Sequence, residues 1–296
     1  MMAIGNPSTY LSPPPRDITV EMPHSVQNLI GSPVTDLSFD EQISLMISWA
    51  KKRLSKVVCV ANVHMLIEAK RDARLADVLE HADLVTPDGM PLVWMLRLLG
   101  STRSERVAGM DILEAVCQQA SEDRVSLYFL GAKPDVLDKI RERLLYNFPT
   151  LQIAGMEAPP FRPATADEDA ETVQRINASG AGILFVALGC PKQEFWIAQH
   201  RDKIQAVMIG VGAAFPLYAG VLKRAPKPIR HSGLEWLYRL CQEPKRLWPR
   251  YASTNPVFLW LALKQLLTFA MSRSKVGQFF SETSSFFANM VKKLKK

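Results

Sequence analysis

Six short apolar runs recur along the chain: VVCVAN (57–62), DLVTP (83–87), VSLYFLG (125–131), LQIAG (151–155), ILFVALG (183–189) and AVMIGVG (206–212). Each is rich in β-branched or aromatic residues and too uniformly apolar for a strand with one wet face, so each is expected to be a strand buried on both sides. The intervening segments repeat their apolar residues at helical spacing. They include a helix entered through Ser38-Phe-Asp-Glu41, which has the form of a capping box, one helix through HMLIEAKRDARLADVLEHA (64–82), and others from about Met90, Asp111, Pro134, Ala166 and Pro191. Strand and helix alternating at this spacing leave few options. The chain is predicted to be α/β, with a Rossmann-like, mostly parallel sheet covered by helices on both faces.

A parallel sheet of this kind binds ligands beyond the carboxyl ends of its strands. The informative residues are therefore those just after each run: Asn62, Pro87-Asp88-Gly89, Gly131, the stretch Gly189 to Glu194, and Gly210 to Ala214. The flanks differ in character. Residues 1–33 are Pro- and Ser-rich without periodicity and read as a flexible leader, lacking the apolar core of a secretory signal. Residues 34–220 form the α/β unit. Residues 221–253 are dense in Arg, Lys, Trp and Tyr, and 254–296 form two amphipathic helical stretches ending in KKLKK. The first of these has Lys264 and Gln265 in its middle and falls short of the roughly 20 apolar residues a spanning helix needs. It is expected to lie on a membrane or to pack on the protein.

Composition narrows the function. With 296 residues, 48% of them hydrophobic, there is enough chain for a real core, and a net charge of +7 favours an anionic partner. The four cysteines are far apart with no CxxC spacing, which argues against a zinc site or a disulfide framework and for a reducing compartment.

Asp88 sits where an apolar run ends in Thr86-Pro87 and a new one begins. On the residues alone the simpler reading is a helix N-cap; the other is a general base at a strand's carboxyl edge. Asn62 fits either a turn or a ligand contact, and His64 reads as a helix-start surface group. In GCPKQEFW (189–196), Gly189 and Pro191 frame a turn into a helix whose first N–H groups favour an anion; Lys192 adds charge, Gln193 offers donor and acceptor, and Glu194 adds a carboxylate. VGAAF (211–215), with Gly212, lacks the third glycine of a dinucleotide fingerprint, so a nicotinamide-dependent oxidoreductase is disfavoured. Among the arginines, Arg224, Arg230, Arg239, Arg246 and Arg250 suit a diphosphate, although such runs are often only a solvated face. No DxD pair of the sort that holds a metal between carboxylates and a diphosphate is present; the closest, Asp167-Glu168-Asp169, reads better as the acidic first turn of a helix.

Four stretches, ADLVTPDGM (82–90), ERVAGMD (105–111), LFVALGCPKQEFW (184–196) and the long run from Gly210 to Tyr251, resemble the WecG/TagA/CpsF family of bacterial glycosyltransferases in order and spacing, across about 60–252. The resemblance implies inverting transfer of a sugar from a UDP-sugar, often UDP-N-acetylmannosamine, to a polyprenyl-diphosphate-linked saccharide at the cytoplasmic membrane face, without a metal or other cofactor and without nucleic acid. It assigns the base to Asp88, places Asn62 in the pocket, associates Gln193 with the nucleotide, and expects Arg239, Arg246 and Arg250 to close over the diphosphate. Two positions depart from the family pattern: Val60 stands where Thr is frequent, and Pro216 where Asp is common. Both bear on substrate choice, so a hexose donor stands beside N-acetylmannosamine. The residues neither require nor exclude a homo-oligomer, and a non-catalytic scaffold of a polysaccharide assembly at the membrane surface is the alternative reading.

Overall fold

The computed structural model describes residues 25–160 and 162–273. Six parallel strands, β3 (Lys56–Ala61), β4 (Leu84–Pro87), β5 (Leu127–Gly131), β6 (Ile153–Glu157), β7 (Ile183–Ala187) and β8 (Val207–Gly210), lie in the order β4-β3-β8-β7-β5-β6. The predicted α/β architecture is present, with helices on both faces. Successive side chains of each strand alternate between two cores. Val58, Val60, Phe129, Phe185 and Ile209 face α1 (Phe39–Lys51), α5 (Gly109–Asp123), α6 (Pro134–Asn147) and α9 (Ala214–Tyr218). Val57, Cys59, Leu130, Val186 and Met208 face the helices of the other side.

Local signals set many of the boundaries. The capping box of α1 forms as expected: Ser38 Oγ accepts from the Glu41 N–H, and the Glu41 carboxylate accepts from the Ser38 N–H at 2.9 Å. The helix expected over 64–82 is instead two, α2 (Val63–Arg71) and α3 (Ala73–His81). Asp72 adopts an extended conformation between them, and its carboxylate accepts from the Arg74 N–H at 3.0 Å. A short polar side chain bonding to local backbone competes with helix continuation, a signal that helical periodicity alone conceals.

The flanks depart most from expectation. Across the expected boundary at residue 33, Val26–Leu29 (β1) and Ser32–Thr35 (β2) form an antiparallel hairpin, with Leu29 and Val34 buried; residues 1–24 lie outside the described residues. The segment 221–253 contains α10 (Lys227–His231) and α11 (Glu235–Gln242), and then α12 runs unbroken over Pro244–Arg273, through Pro249 and Pro256. A helix boundary near 253 is therefore not observed. Pro removes a backbone donor and crowds the preceding turn, but Leu247, Phe258 and Ala262 of α12 are buried, the last two against the α2 side of the core. Gln265, mid-helix, completes the contact: its Oε1 accepts from the Ile30 N–H at 2.8 Å and its Nε2 donates to the Asn28 carbonyl at 2.7 Å, so α12 satisfies the hairpin turn. The second C-terminal helix expected after residue 275 lies outside the described residues. No described helix is long and apolar enough to cross a membrane.

Candidate active site

Sheet register places the key side chains before any long-range packing is considered. Ala61 of β3 pairs with Pro87 of β4, so Asn62 and Asp88 leave the same edge side by side. The Asp88 N–H donates to the Ala61 carbonyl at 2.7 Å, and the Val107 N–H donates to the Pro87 carbonyl at 3.0 Å, which brings the loop carrying Arg106 against the Asp88 turn. Helix α4 (Met90–Leu98) is capped by Gly89, at φ +109°, and no side chain supplies its cap hydrogen bond. Asp88 is thus not the N-cap that its sequence context suggested; its carboxylate makes no hydrogen bond or ion pair with any described residue. Loss of hydration pushes the carboxyl up to about 6, against the pull of Arg106 and Arg239; Glu235 and Asp111 add to the rise.

Around Asp88 the charges form one network. Arg106 donates through Nη1 to Asp111 at 2.5 Å and through Nη2 to Glu235 of α11 at 2.7 Å. Asp111 also receives Arg224 and, at 3.4 Å, Arg230, while Arg224 reaches Glu114 at 2.8 Å. Burial alone would depress the Arg106 guanidinium, but Asp88, Glu235 and Asp111 outweigh it and hold it above its ordinary value. Arg106, Asp111 and Glu235 were not singled out from the sequence as site residues. Arg106 and Asp111 lay in ERVAGMD, but nothing local distinguishes them from a loop cation and a helix first-turn acid.

The second cluster surrounds Asn62. Its Oδ1 accepts from the Met65 N–H at 3.2 Å, capping α2, and from Arg250 at 3.4 Å, so turn duty and site contact coincide. Arg250 is held below its usual range by burial, and its Nε has no partner among the described residues. His64, expected at the surface, is mostly enclosed; burial first, then Arg250 and Arg71, lower its pKa to about 4, so it is neutral at physiological pH. Arg239 bears electrostatically on Asp88 and on Tyr251, whose ring meets Trp236 edge-on at 5.8 Å. Arg246 is more than half exposed and paired with Glu243 at 2.5 Å, and it reaches Arg250 and Tyr251 only through its charge.

At the exit of β7 the polar cluster is present but divided. Helix α8 (Lys192–Gln199) buries Gln193 and Glu194 completely or nearly so, whereas Lys192 is exposed and bonds to none of the site residues. Gln193 Oε1 accepts from the Gly189 N–H at 3.1 Å and its Nε2 donates to Glu194 Oε1 at 2.8 Å. The side chain lies flat on β8's exit, where a Cβ on Gly210 or Gly212 would come within 3.0 and 3.2 Å of its amide. Glu194, with burial raising it to about 6 and its second oxygen unpartnered, braces Gln193 and is itself sealed from the cleft. Gly131 serves packing: at φ +123°, a Cβ there would sit 2.5 Å from the Ala187 carbonyl oxygen. No group of three or more His, Cys, Asp or Glu among the described residues converges as a metal site would.

A free carboxylate flanked by arginines at the carboxyl edge of a parallel sheet is an arrangement for deprotonating a hydroxyl beside an anionic leaving group. The sequence agrees over most of its length, since residues 27–272 match the model of the Glycosyl transferase WecG/TagA/CpsF family. The chain belongs to that family. It is a glycosyltransferase, and the resemblance read from its four motifs is upheld. One relative is the N-acetylglucosaminyldiphosphoundecaprenol N-acetyl-beta-D-mannosaminyltransferase of Bacillus spizizenii, 32% identical over 239 residues, which cover 78% of this chain and 90% of that protein.

Proposed function

We propose that the chain moves a sugar, N-acetylmannosamine or a hexose, from a UDP-sugar to a polyprenyl-diphosphate-linked saccharide, with inversion, in the synthesis of a cell-surface polysaccharide or exopolysaccharide. The relative's name, which specifies a diphosphoundecaprenol-linked acceptor and a mannosaminyl donor group, supports this substrate class. The observation that carries the reading is the uncommitted Asp88 carboxylate at the carboxyl edge of the sheet, with its raised proton affinity and under the charge of Arg106 and Arg239.

In this reading the acceptor hydroxyl gives its proton to Asp88 while its oxygen attacks the donor's anomeric carbon. The bond from that carbon to the diphosphate breaks, and the electron pair leaves with UDP. Attack opposite the departing group inverts the centre. Arg239 and Arg250, the latter beside Asn62, neutralise charge growing on the diphosphate, and Gln193, fixed by Gly189 and Glu194, holds the nucleotide side. Arg224 and Arg246 are placed to join only after ion-pair exchange, because each is held at hydrogen-bond distance by a carboxylate, whereas Arg239 meets Glu243 only at 3.8 Å.

The acceptor class calls for a membrane surface. The outward face of α12 carries Leu259, Trp260, Leu263 and Leu267, all at least half exposed, and would rest on the inner leaflet with the chain's excess positive charge facing anionic lipid. The decisive variant is Asp88→Asn. It should fold, bind UDP-sugar and lose about 10²- to 10⁴-fold in transfer to a lipid-linked acceptor extract. Turnover within a few-fold of wild type would remove Asp88 from the chemistry; absence of transfer by the wild type with every UDP-sugar tried would favour the scaffold.

A further inference from the structure

A base beside an arginine faces a conflict. A guanidinium that pairs directly with a carboxylate stabilises its ionised form and lowers its pKa by roughly 1–3 units, which weakens it as a proton acceptor. Arg106 is close enough to Asp88 for each to act on the other, yet no ion pair joins them. Both terminal nitrogens of Arg106 are already engaged, Nη1 by Asp111 and Nη2 by Glu235. The two carboxylates approach from different parts of the chain, Asp111 from the first turn of α5 and Glu235 from the start of α11. Asp111 is itself fixed by Arg224 and Arg230, so it cannot follow Arg106 toward the strand edge without breaking two more ion pairs.

We infer that Asp111 and Glu235 are positioning residues that hold Arg106 off Asp88 and so keep the base uncommitted until substrate arrives. The inference rests on Asp88 as the base. It also gives α11 a role beyond supplying Arg239: its Glu235 completes the clamp, so the base has its working character only when this helix is docked. The charged and titratable groups bearing on Asp88 are Arg106 from the loop, Asp111 from α5, Glu235 and Arg239 from α11, and Tyr251 from α12.

The sign of the effect follows. Asp88 accepts a proton only when ionised, so kcat/KM rises with pH through its pKa. Releasing Arg106 onto Asp88 favours ionisation, and loss of a neighbouring negative charge acts in the same direction. In Asp111→Asn and in Glu235→Gln the acidic limb should therefore move to lower pH by about one unit or more, and the plateau should fall several-fold because the base is weaker. Asp111→Glu, which keeps an acceptor for Arg106, should restore much of the wild-type limb. Glu114→Gln removes an acid from the same network that touches Arg224 and not Arg106, and should leave the limb in place.

The measurement is the pH dependence of kcat/KM for the full chain with UDP-sugar and lipid-linked acceptor, alongside thermal melts. If Asp111→Asn does not fold, Glu235→Gln carries the test, since its helix has no buried residue. Limbs that coincide with wild type in folded Asp111→Asn or Glu235→Gln overturn the clamp, as does an equal shift in Glu114→Gln, which would reduce the effect to general charge. The underlying reading fails separately: an active Asp88→Asn removes the base itself, whereas an inactive Asp88→Asn with unmoved limbs in the clamp variants removes only this inference.

Discussion

Asp88 and Glu194 are both carboxylates raised to about 6 by loss of hydration, and their surroundings separate their roles. The Asp88 carboxylate has no hydrogen-bond partner among the described residues and leaves the carboxyl edge of the sheet beside Asn62. Glu194 is fully buried and spends one oxygen on Gln193. Burial of Glu194 makes a stability prediction with a definite sign. Its folded pKa exceeds its ordinary value of 4.5, so the folded chain holds a proton that the unfolded chain gives up between about pH 4.5 and 6. Stability contributed by this group is therefore greatest below that window and is lost as pH rises through it, by about 2 kcal/mol at 1.36 kcal/mol per unit. Glu194→Gln keeps an acceptor for Gln193 Nε2 and removes the ionisation, so its melting temperature relative to wild type should improve from pH 5 to pH 7.5. A difference that stays flat across that range would show that folding does not raise the Glu194 pKa.

Among the elements, α12 has two faces with two different partners. One face buries Phe258 and Ala262 and closes the β1–β2 hairpin through Gln265. The other exposes Leu259, Trp260, Leu263 and Leu267. The sequence reading set packing on the protein against lying on a membrane; the first holds for the inner face, and the second remains the proposal for the outer. Fully burying a Leu or Trp side chain is worth about 1.5–3 kcal/mol, so Trp260→Glu with Leu263→Glu should weaken sedimentation with phosphatidylglycerol-containing vesicles by at least about 100-fold. The melting temperature should hardly move, because neither side chain is in the core. Unchanged vesicle binding would turn that face over to association between copies of the chain.

At the scale of the whole molecule, the site is assembled from two parts that meet. The sheet edge supplies Asn62, Asp88 and Gln193, and the C-terminal helices supply Glu235, Arg239 and Arg250. Their guanidinium groups provide the positive charge that a departing diphosphate needs, which is why the proposed transfer calls on no metal. Activity should therefore persist in excess EDTA within about two-fold. Loss of transfer in EDTA with recovery on adding Mn²⁺ would defeat that reading and require carboxylates to be recruited from outside the present network.

How much of this could be read from the sequence depended on how local its cause was. Two-sided burial of the strands left uniform apolar runs, so the number of parallel strands, their separating helices and the edge carrying Asn62, Asp88, Gly189 and Gly212 were all legible. The capping box of α1 was legible because Ser38 and Glu41 act on backbone within one turn. The break at Asp72 was obscured by apolar periodicity continuing on either side of it. The hairpin at Val26–Thr35 was hidden because its burial comes from α12 and the sheet, more than 200 residues away in part, and not from any pattern of its own.

The sequence by itself determined the sheet, the edge that must hold the site, and the family, since these follow from periodicity and from motifs contiguous in the chain. Only tertiary structure decided that Asp88 is not the helix cap. A helix start beside an Asp predicts a cap, but Gly89 takes the cap position and the Ala61 carbonyl holds the Asp88 backbone, leaving the carboxylate unbonded. Arg106 is kept from it by Asp111 and Glu235, 124 positions apart. Charge–charge geometry depends on distance in space, and no spacing along the chain encodes it.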